Sequence, residues 1–294
     1  MKIPETVKQW LDYLDRQGKS THTIAAYRRG LSHYIRWNRD TYDSDFDPTT
    51  VIPRDVRDWK AFQQTVEKAA PATINQRLVA LSRFFYWGVE QEMARTNPTA
   101  SVHTLELPQR KPKALSQKDQ RCFLRAVHQR ENLRDIAIVE MLVGTGLRVA
   151  ELLALQVGDV DINERSGWVK VRMGKRSNQR DVPLKAEVRS ALTAYLAGHP
   201  HAGDPNAHLW IEQQGPLKDR SAVLRMLNKY AFAGKMDNFG PHVLRHTFSD
   251  NYLRGNPDDL RGLAALLGHT NLNTVMIYTE PSFDDPAERV ERAS

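Results

Sequence analysis

Between residues 94 and 116 the chain runs ARTNPTASVHTLELPQRKPKALS, a stretch rich in Pro, Thr and charge that breaks the apolar periodicity on either side of it. Such a segment has no apolar face to bury, and its prolines remove backbone donors, so it joins cores rather than belonging to one. The 294 residues also exceed the usual size of a single domain. The reading is two domains: a helical one over 1–107, with the linker opening near 97, and a second over 108–294.

On the N-terminal side, apolar residues recur at helical spacing. Val7, Trp10, Leu11 and Leu14 make one set, closed by Gly18, and Ile24, Tyr27, Leu31, Tyr34 and Ile35 make the next. Pro53 and Pro71 open two further helices, in the first turn where a missing N–H costs nothing. Four such helices form a small bundle. Beyond the break, helices are expected at 117–129, 132–143 and 149–155. A β-hairpin follows in WVKVRMGKRSNQRDVPL, where Trp168, Val169, Val171, Met173 and Val182 flank a Gly-to-Asn turn. The remainder is mostly helical, so the fold class is mainly α with a small β-sheet.

Composition narrows the function classes. The 42 Lys+Arg against 35 Asp+Glu leave a net charge of +7, which suits a polyanionic partner. Cys122 is the only cysteine, so neither an intrachain disulfide nor a Cys-based zinc site can form; it reads as a small core residue. The first residues, MKIPETVKQW, lack an apolar leader, and no run approaches the roughly 18 apolar residues that span a bilayer. A cytoplasmic protein away from membranes is expected. Gly174-Lys175 and Gly234-Lys235 are followed by Arg and Met, so no phosphate loop is completed. Asp43, Asp45 and Asp47 have the spacing of a calcium loop, but Pro48 replaces the turn glycine and Arg54 the bidentate Glu. His242 and His246 stand four apart without the Glu of a zinc protease between them. Neither a metal nor a cofactor is expected.

Four places attract a chemical reading, and each also has a plain one. In FGPHVLRHTFSDNYL, Gly240 and Pro241 start a helix, Leu244, Phe248 and Tyr252 form its buried stripe, and His242, Arg245 and Ser249 share another face. A first-turn His beside an Arg suits a phosphate, or is simply a capped helix with a surface ion pair. In VEMLVGTGLRVAELLALQ, a turn through Gly146 sets Arg148 at the start of an apolar helix with Glu151 one turn on; this is a held phosphate clamp or an ordinary helix pair. From 165 to 185 the hairpin carries seven cations (Arg165, Lys170, Arg172, Lys175, Arg176, Arg180 and Lys185) against Asp181, which favours a finger on a phosphate backbone over a solubilising edge. Finally, Gly268 caps a helix before His269, and Asn271 or Asn273 caps the helix of Tyr278, a tyrosine among apolar neighbours that by itself reads as core.

Taken in order, TGLRVAEL, GKRSNQRDVPL, HVLRHTF and LLGHTNLNTVMIY resemble the motif series of the tyrosine recombinases, the integrase and Xer type of site-specific DNA recombinase. The resemblance covers nearly the whole chain. It implies an N-terminal helical core-binding (SAM-like) bundle and a C-terminal α+β catalytic domain. It makes Arg148 and Arg245 the arginine pair, Lys175 the hairpin lysine, His242 and His269 the histidines, and Tyr278 the nucleophile. Many relatives have Gly-Lys-Gly where Arg176 follows Lys175 here, so Lys170 is the other contender for the lysine. Glu151 is taken as a support for the first arginine.

The same resemblance implies a clamp on double-stranded DNA with inverted-repeat core sites. Contacts are expected from Arg28 and Arg29, from Gln76, Arg77 and Arg83, and from Arg176 and Arg180 on the hairpin; His22, Thr23 and Asn75 are also able to touch DNA, and a solvated face is the plain alternative. The tail over 284–294 is expected to be a helix that docks on a neighbour in a homotetramer, with or without a paired second recombinase.

Overall fold

A computed structural model describes residues 4–107, 113–172, 179–213 and 215–268. The chain divides into two compact units close to residue 109. Among the described residues it is mainly helical, with eleven α-helices and two small antiparallel sheets.

The first unit holds α1 (Glu5–Arg16), α2 (Thr21–Tyr42), α3 (Pro53–Thr65) and α4 (Pro71–Glu90). Two of the starts are capped by side chains. The Ser20 Oγ accepts from the Thr23 N–H at 3.1 Å to cap α2, and the Asp55 carboxylate accepts from the Ile52 N–H at 2.9 Å to cap α3. The apolar stripes meet in an aromatic core in which Trp10, Tyr34, Trp59, Phe84 and Phe85 are all but fully buried. Trp10 stacks on Tyr27, while Phe84 meets Trp10 edge-on at 5.7 Å. Burying each such ring contributes on the order of 1.5–3 kcal/mol, and the edge-on pairing adds to that.

The segment expected to begin a linker near 97 is fastened to this bundle as far as Leu105. The Asn75 amide donates to the Leu105 carbonyl at 2.8 Å and accepts from its N–H at 2.7 Å, and Lys60 Nζ donates to the His103 carbonyl at 2.7 Å. Val102 and Leu105 pack against the apolar cluster.

In the second unit, α5 (Gln117–His128), α6 (Leu133–Thr145) and α7 (Val149–Ala154) lie close to the expected spans. A 3-10 turn (Val157–Asp159) then leads into β1 (Val160–Ile162), β2 (Gly167–Val171) and β3 (Arg180–Pro183), a sheet in that order. After these come α8 (Ala186–Leu196), the short pair β4 (Ile211–Glu212) and β5 (Gly215–Pro216), α9 (Arg220–Ala233), α10 (Pro241–Gly255) and α11 (Leu260–Leu267). β1 is a strand that periodicity did not reveal, because three residues are too few to show alternation. Helix α6 is buried without interruption from Asp135 to Thr145, with Asp135 bonded to Arg134 and Tyr230 and Glu140 to His128, and packs against both α8 and α10. Cys122 is half-buried on α5. Among the described residues no helix is long and apolar enough to cross a membrane, and no three His, Cys, Asp or Glu side chains gather as a metal set.

Candidate active site

Helix α6 stops because Gly146 takes the left-handed conformation, φ 64°, and its N–H returns to the Leu142 carbonyl. A side chain there would be strained and would also strike the Phe248 ring. The turn delivers Arg148 to the N-cap of α7, where its N–H donates to Glu151 Oε2 at 2.9 Å and its Nη1 donates to Glu151 Oε1 at 2.9 Å. The helix pair foreseen from the sequence therefore exists, and it leaves the Arg148 side chain 36% exposed. Both described side-chain bonds of Arg148 run through Nη1.

On α10, Gly240 is the N-cap and His242 lies exposed in the first turn. Leu244 and Phe248 form the buried stripe, whereas Tyr252 is only half-buried. The face assigned to His242, Arg245 and Ser249 is not a solvent face: Arg245 is 4% exposed and Ser249 is buried, its Oγ donating to the Arg245 carbonyl at 3.0 Å. Arg245 reaches across the unit, with Nη1 donating to the Gly146 carbonyl at 2.7 Å and Nη2 to the Leu267 carbonyl at 2.8 Å. Arg148 Nη1 meets the same Leu267 carbonyl at 3.4 Å. The last carbonyls of a helix lack intrahelical partners and carry the negative end of its dipole, so the end of α11 is a natural anchor for two guanidiniums. Arginine tolerates the burial because its pKa lies too high for desolvation to strip the proton. His246, one residue on, has its pKa lowered by burial first, then by the charges of His242 and Arg245.

The hairpin does not present its cations on one face. Val171 lies opposite Arg180 and Val169 opposite Val182, so the pleat turns these four inward and leaves Trp168, Lys170 and Arg172 outward. Arg172 pairs with Asp159 at 2.7 Å. Arg180 corrects the picture of an exposed finger: only 11% of its side chain is exposed, and its guanidinium points at the protein. Its Nη1 and Nη2 donate to Glu151 Oε1 and Oε2 at 3.2 and 2.9 Å, and its Nε donates to the Leu266 carbonyl at 2.7 Å. Burial of Glu151 pushes its carboxyl up, but the hydrogen bonds from Arg180 and the Arg148 N–H, with both positive charges, more than offset this and hold the pKa below its ordinary value.

In the bundle, Arg28 and Arg29 on α2 and Gln76 and Arg83 on α4 are exposed, as DNA contacts require. Arg77 differs from them. Its Nη1 donates to Glu67 at 2.9 Å and to the Gln63 side chain at 3.0 Å, so it is half-withdrawn into an ion pair of the bundle itself. Asn75 is spent on Leu105, which removes it as a base reader in this arrangement. Of the calcium-loop decoy, Asp43 ends α2 and the Asp47 carboxylate closes a turn onto Thr49. Lys175, Arg176, His269, Tyr278, Asn271, Asn273 and the tail over 284–294 lie outside the described residues.

The structure thus brings together Arg148, Arg245 and Glu151 around Gly146 and the end of α11, with His242 on the helix that supplies Arg245. It adds Arg180 to that group. Its position was readable, since period two places residue 180 on the face of Val182.

Residues 113–284 match the model of the phage integrase family, and residues 7–95 match that of the phage integrase N-terminal SAM-like domain. A tyrosine recombinase XerC of Neisseria meningitidis is 32% identical over 291 residues, covering 97% of this chain and 93% of the relative. A tyrosine recombinase XerD of Ralstonia nicotianae is 32% identical over 282 residues, covering 94% and 89%. Among solved structures, the Tn1549 transposon integrase in complex with a circular intermediate DNA superposes with a TM-score of 0.76 at 21% identity, covering 98% of this chain and 99% of that one.

Proposed function

The chain belongs to the phage integrase family and is a site-specific tyrosine recombinase, and from that premise we propose that it cuts and rejoins duplex DNA through Tyr278. The Tyr278 hydroxyl gives up its proton to water as its oxygen attacks the phosphorus of a backbone phosphodiester, the bond from phosphorus to the 5′ oxygen breaks, and a 3′-phosphotyrosyl link and a free 5′-hydroxyl result. The proton on that hydroxyl comes from Lys175. Lys170 is the weaker contender, because it lies on the outward face of β2, opposite Asp181 and away from the face that carries Arg180. Attack of a 5′-hydroxyl from a second duplex on the same phosphorus reverses the step and exchanges the strands. The covalent link conserves the energy of the broken bond, so the reaction requires neither a nucleotide nor a metal.

The observation that carries this reading is the meeting of Arg148 and Arg245, from two distant parts of the chain, on the Leu267 carbonyl. That carbonyl fixes two guanidiniums side by side before substrate arrives, and Arg148 keeps Nε and Nη2 without a partner among the described residues. A fork held in place ahead of the reaction stabilises charge on the non-bridging oxygens without reorganisation, which is the main electrostatic contribution in phosphoryl transfer. His242 and His269 add directed N–H donors to the same phosphate. Arg28, Arg29, Gln76 and Arg83 hold the duplex from the bundle, with Arg77 and Arg176 as further contacts. Assembly is as a homotetramer over inverted-repeat sites in the cytoplasm, alone or with a second recombinase.

The test uses the full-length protein and a duplex selected from a random library by binding, with a nick beside the cleaved bond so that the short fragment bearing the new 5′-hydroxyl diffuses away. A covalent adduct that withstands denaturant should accumulate in the presence of EDTA. Absence of any adduct, or its dependence on added zinc, contradicts the proposal, and relaxation of plasmids lacking the selected site points to a topoisomerase instead.

A further inference from the structure

We infer that Arg180 is a positioning residue for the strand-transfer site, holding Glu151 and the end of α11 in register so that Arg148 and Arg245 share one anchor. The inference rests on the recombinase reading above and assigns Arg180 away from the DNA. Three of its nitrogens have described partners on two different elements: Nη1 and Nη2 on Glu151 of α7, and Nε on the Leu266 carbonyl of α11. Its own backbone belongs to β3, so a single side chain ties three elements together. Leu266 stands next to Leu267, whose carbonyl takes Arg148 and Arg245.

Gly268 completes the arrangement. It caps α11 in the left-handed conformation, φ 65°, and a Cβ placed on it would lie 2.6 Å from Arg180 Nη1 and 3.0 Å from Cζ. The guanidinium therefore occupies the space that any other residue at 268 would need. Lysine cannot replace it, since one ammonium has no planar fork and no separate Nε donor to serve both Glu151 and Leu266. The contrast with Arg148 is direct: Arg148 is 36% exposed, Arg180 11%. A side chain so enclosed acts on the reaction through Glu151 and α11, and a misplacement of about 1 Å in such a support can cost about 100-fold in rate.

The experiment measures duplex affinity and single-turnover adduct formation on the nicked duplex for wild type, Arg180→Lys, Arg180→Ala, Gly268→Ala and the Arg180→Ala/Gly268→Ala double variant. Expected are adduct rates lowered about 100-fold in each single variant, affinity within about threefold of wild type, and no further loss in the double variant. Low-millimolar guanidinium should restore part of the Arg180→Ala rate, and sodium at equal ionic strength should not; a merely structural defect gives no such chemical rescue. If Arg180→Ala does not fold, Arg180→Lys and Gly268→Ala, which keep the charge, carry the test. Weakened affinity with a shallower salt dependence makes Arg180 a phosphate contact and overturns the inference, as do wild-type adduct rates or multiplying losses in the double variant. Failure of the recombinase reading looks different: wild type itself forms no adduct.

Discussion

In the bundle, His33, Glu67, Arg77 and Gln63 close on one another; in the second unit, Arg148 and Arg180 share the one carboxylate of Glu151. The bundle cluster is neutral. Trp59 Nε1, which can only donate, points at His33 Nδ1 at 3.0 Å, so the ring proton sits on Nε2 and is given to Glu67 at 2.8 Å, leaving one guanidinium for one carboxylate. The second cluster holds two guanidiniums on a single carboxylate, anchors a third on a helix end, and leaves Arg148 partly exposed. A closed network contributes stability, whereas Arg148, with Nε and Nη2 unspent among the described residues, has the donors that the proposed phosphate contact needs.

The largest expected effect separates the two. Arg148→Ala should lower the rate of adduct formation by about 100- to 1000-fold, as for loss of a charge-stabilising donor, while Glu151 keeps Arg180 and thermal stability changes little. A large fall in melting temperature with an intact rate would put Arg148 in the structural class and erase the contrast. Next comes Gly146→Ala, which forces a left-handed alanine into the Phe248 ring; it should destabilise by about 1–3 kcal/mol, read by denaturant melts. No loss would show that the turn between α6 and α7 is not rigid. Asn75→Ala, which frees both backbone groups of Leu105, should cost about 1 kcal/mol and speed proteolysis near residue 105.

The weakest response is to pH, with one window in the bundle and one at Glu151. Burial lowers the His33 pKa below 6.5, against the raising effect of Glu67. Because the folded state binds its proton less readily than the unfolded one, this contribution is complete above pH 6.5 and is lost as pH falls below it, until the folded ring also protonates. Glu151 behaves as a paired carboxylate does: its lowered pKa gives stability present above its usual 4.5 and lost in stronger acid. Histidine resonances of His33 followed by NMR should report the higher window, and a ring that titrates above 6.5 would break the neutral-cluster account.

Much of this was legible because the signals were local. Gly146, Arg148 and Glu151 fall within six residues, and the first-turn His242, the stripe through Leu244 and Phe248, and the Gly268 cap follow helix rules. The inward side of Arg180 follows from the pleat counted from Val182, a pattern that charge along the hairpin does not report. The ties of Asn75 to Leu105, of Thr247 to Leu115 and of Arg245 to Gly146 span 30, 132 and 99 residues, and no local pattern reports such a distance. Arg77 looked like its exposed neighbours on α4 because its partner, Glu67, lies in the preceding loop.

If the arginine cluster serves a tyrosine that becomes covalently attached to DNA, the attachment point identifies it. The trapped adduct can be digested with trypsin and nuclease and the modified peptide sequenced by mass spectrometry. The account predicts a nucleotide on the peptide spanning residues 262–289, whose only tyrosine is Tyr278, and no adduct from Tyr278→Phe. A nucleotide on any other residue, or an undiminished adduct from Tyr278→Phe, would contradict it.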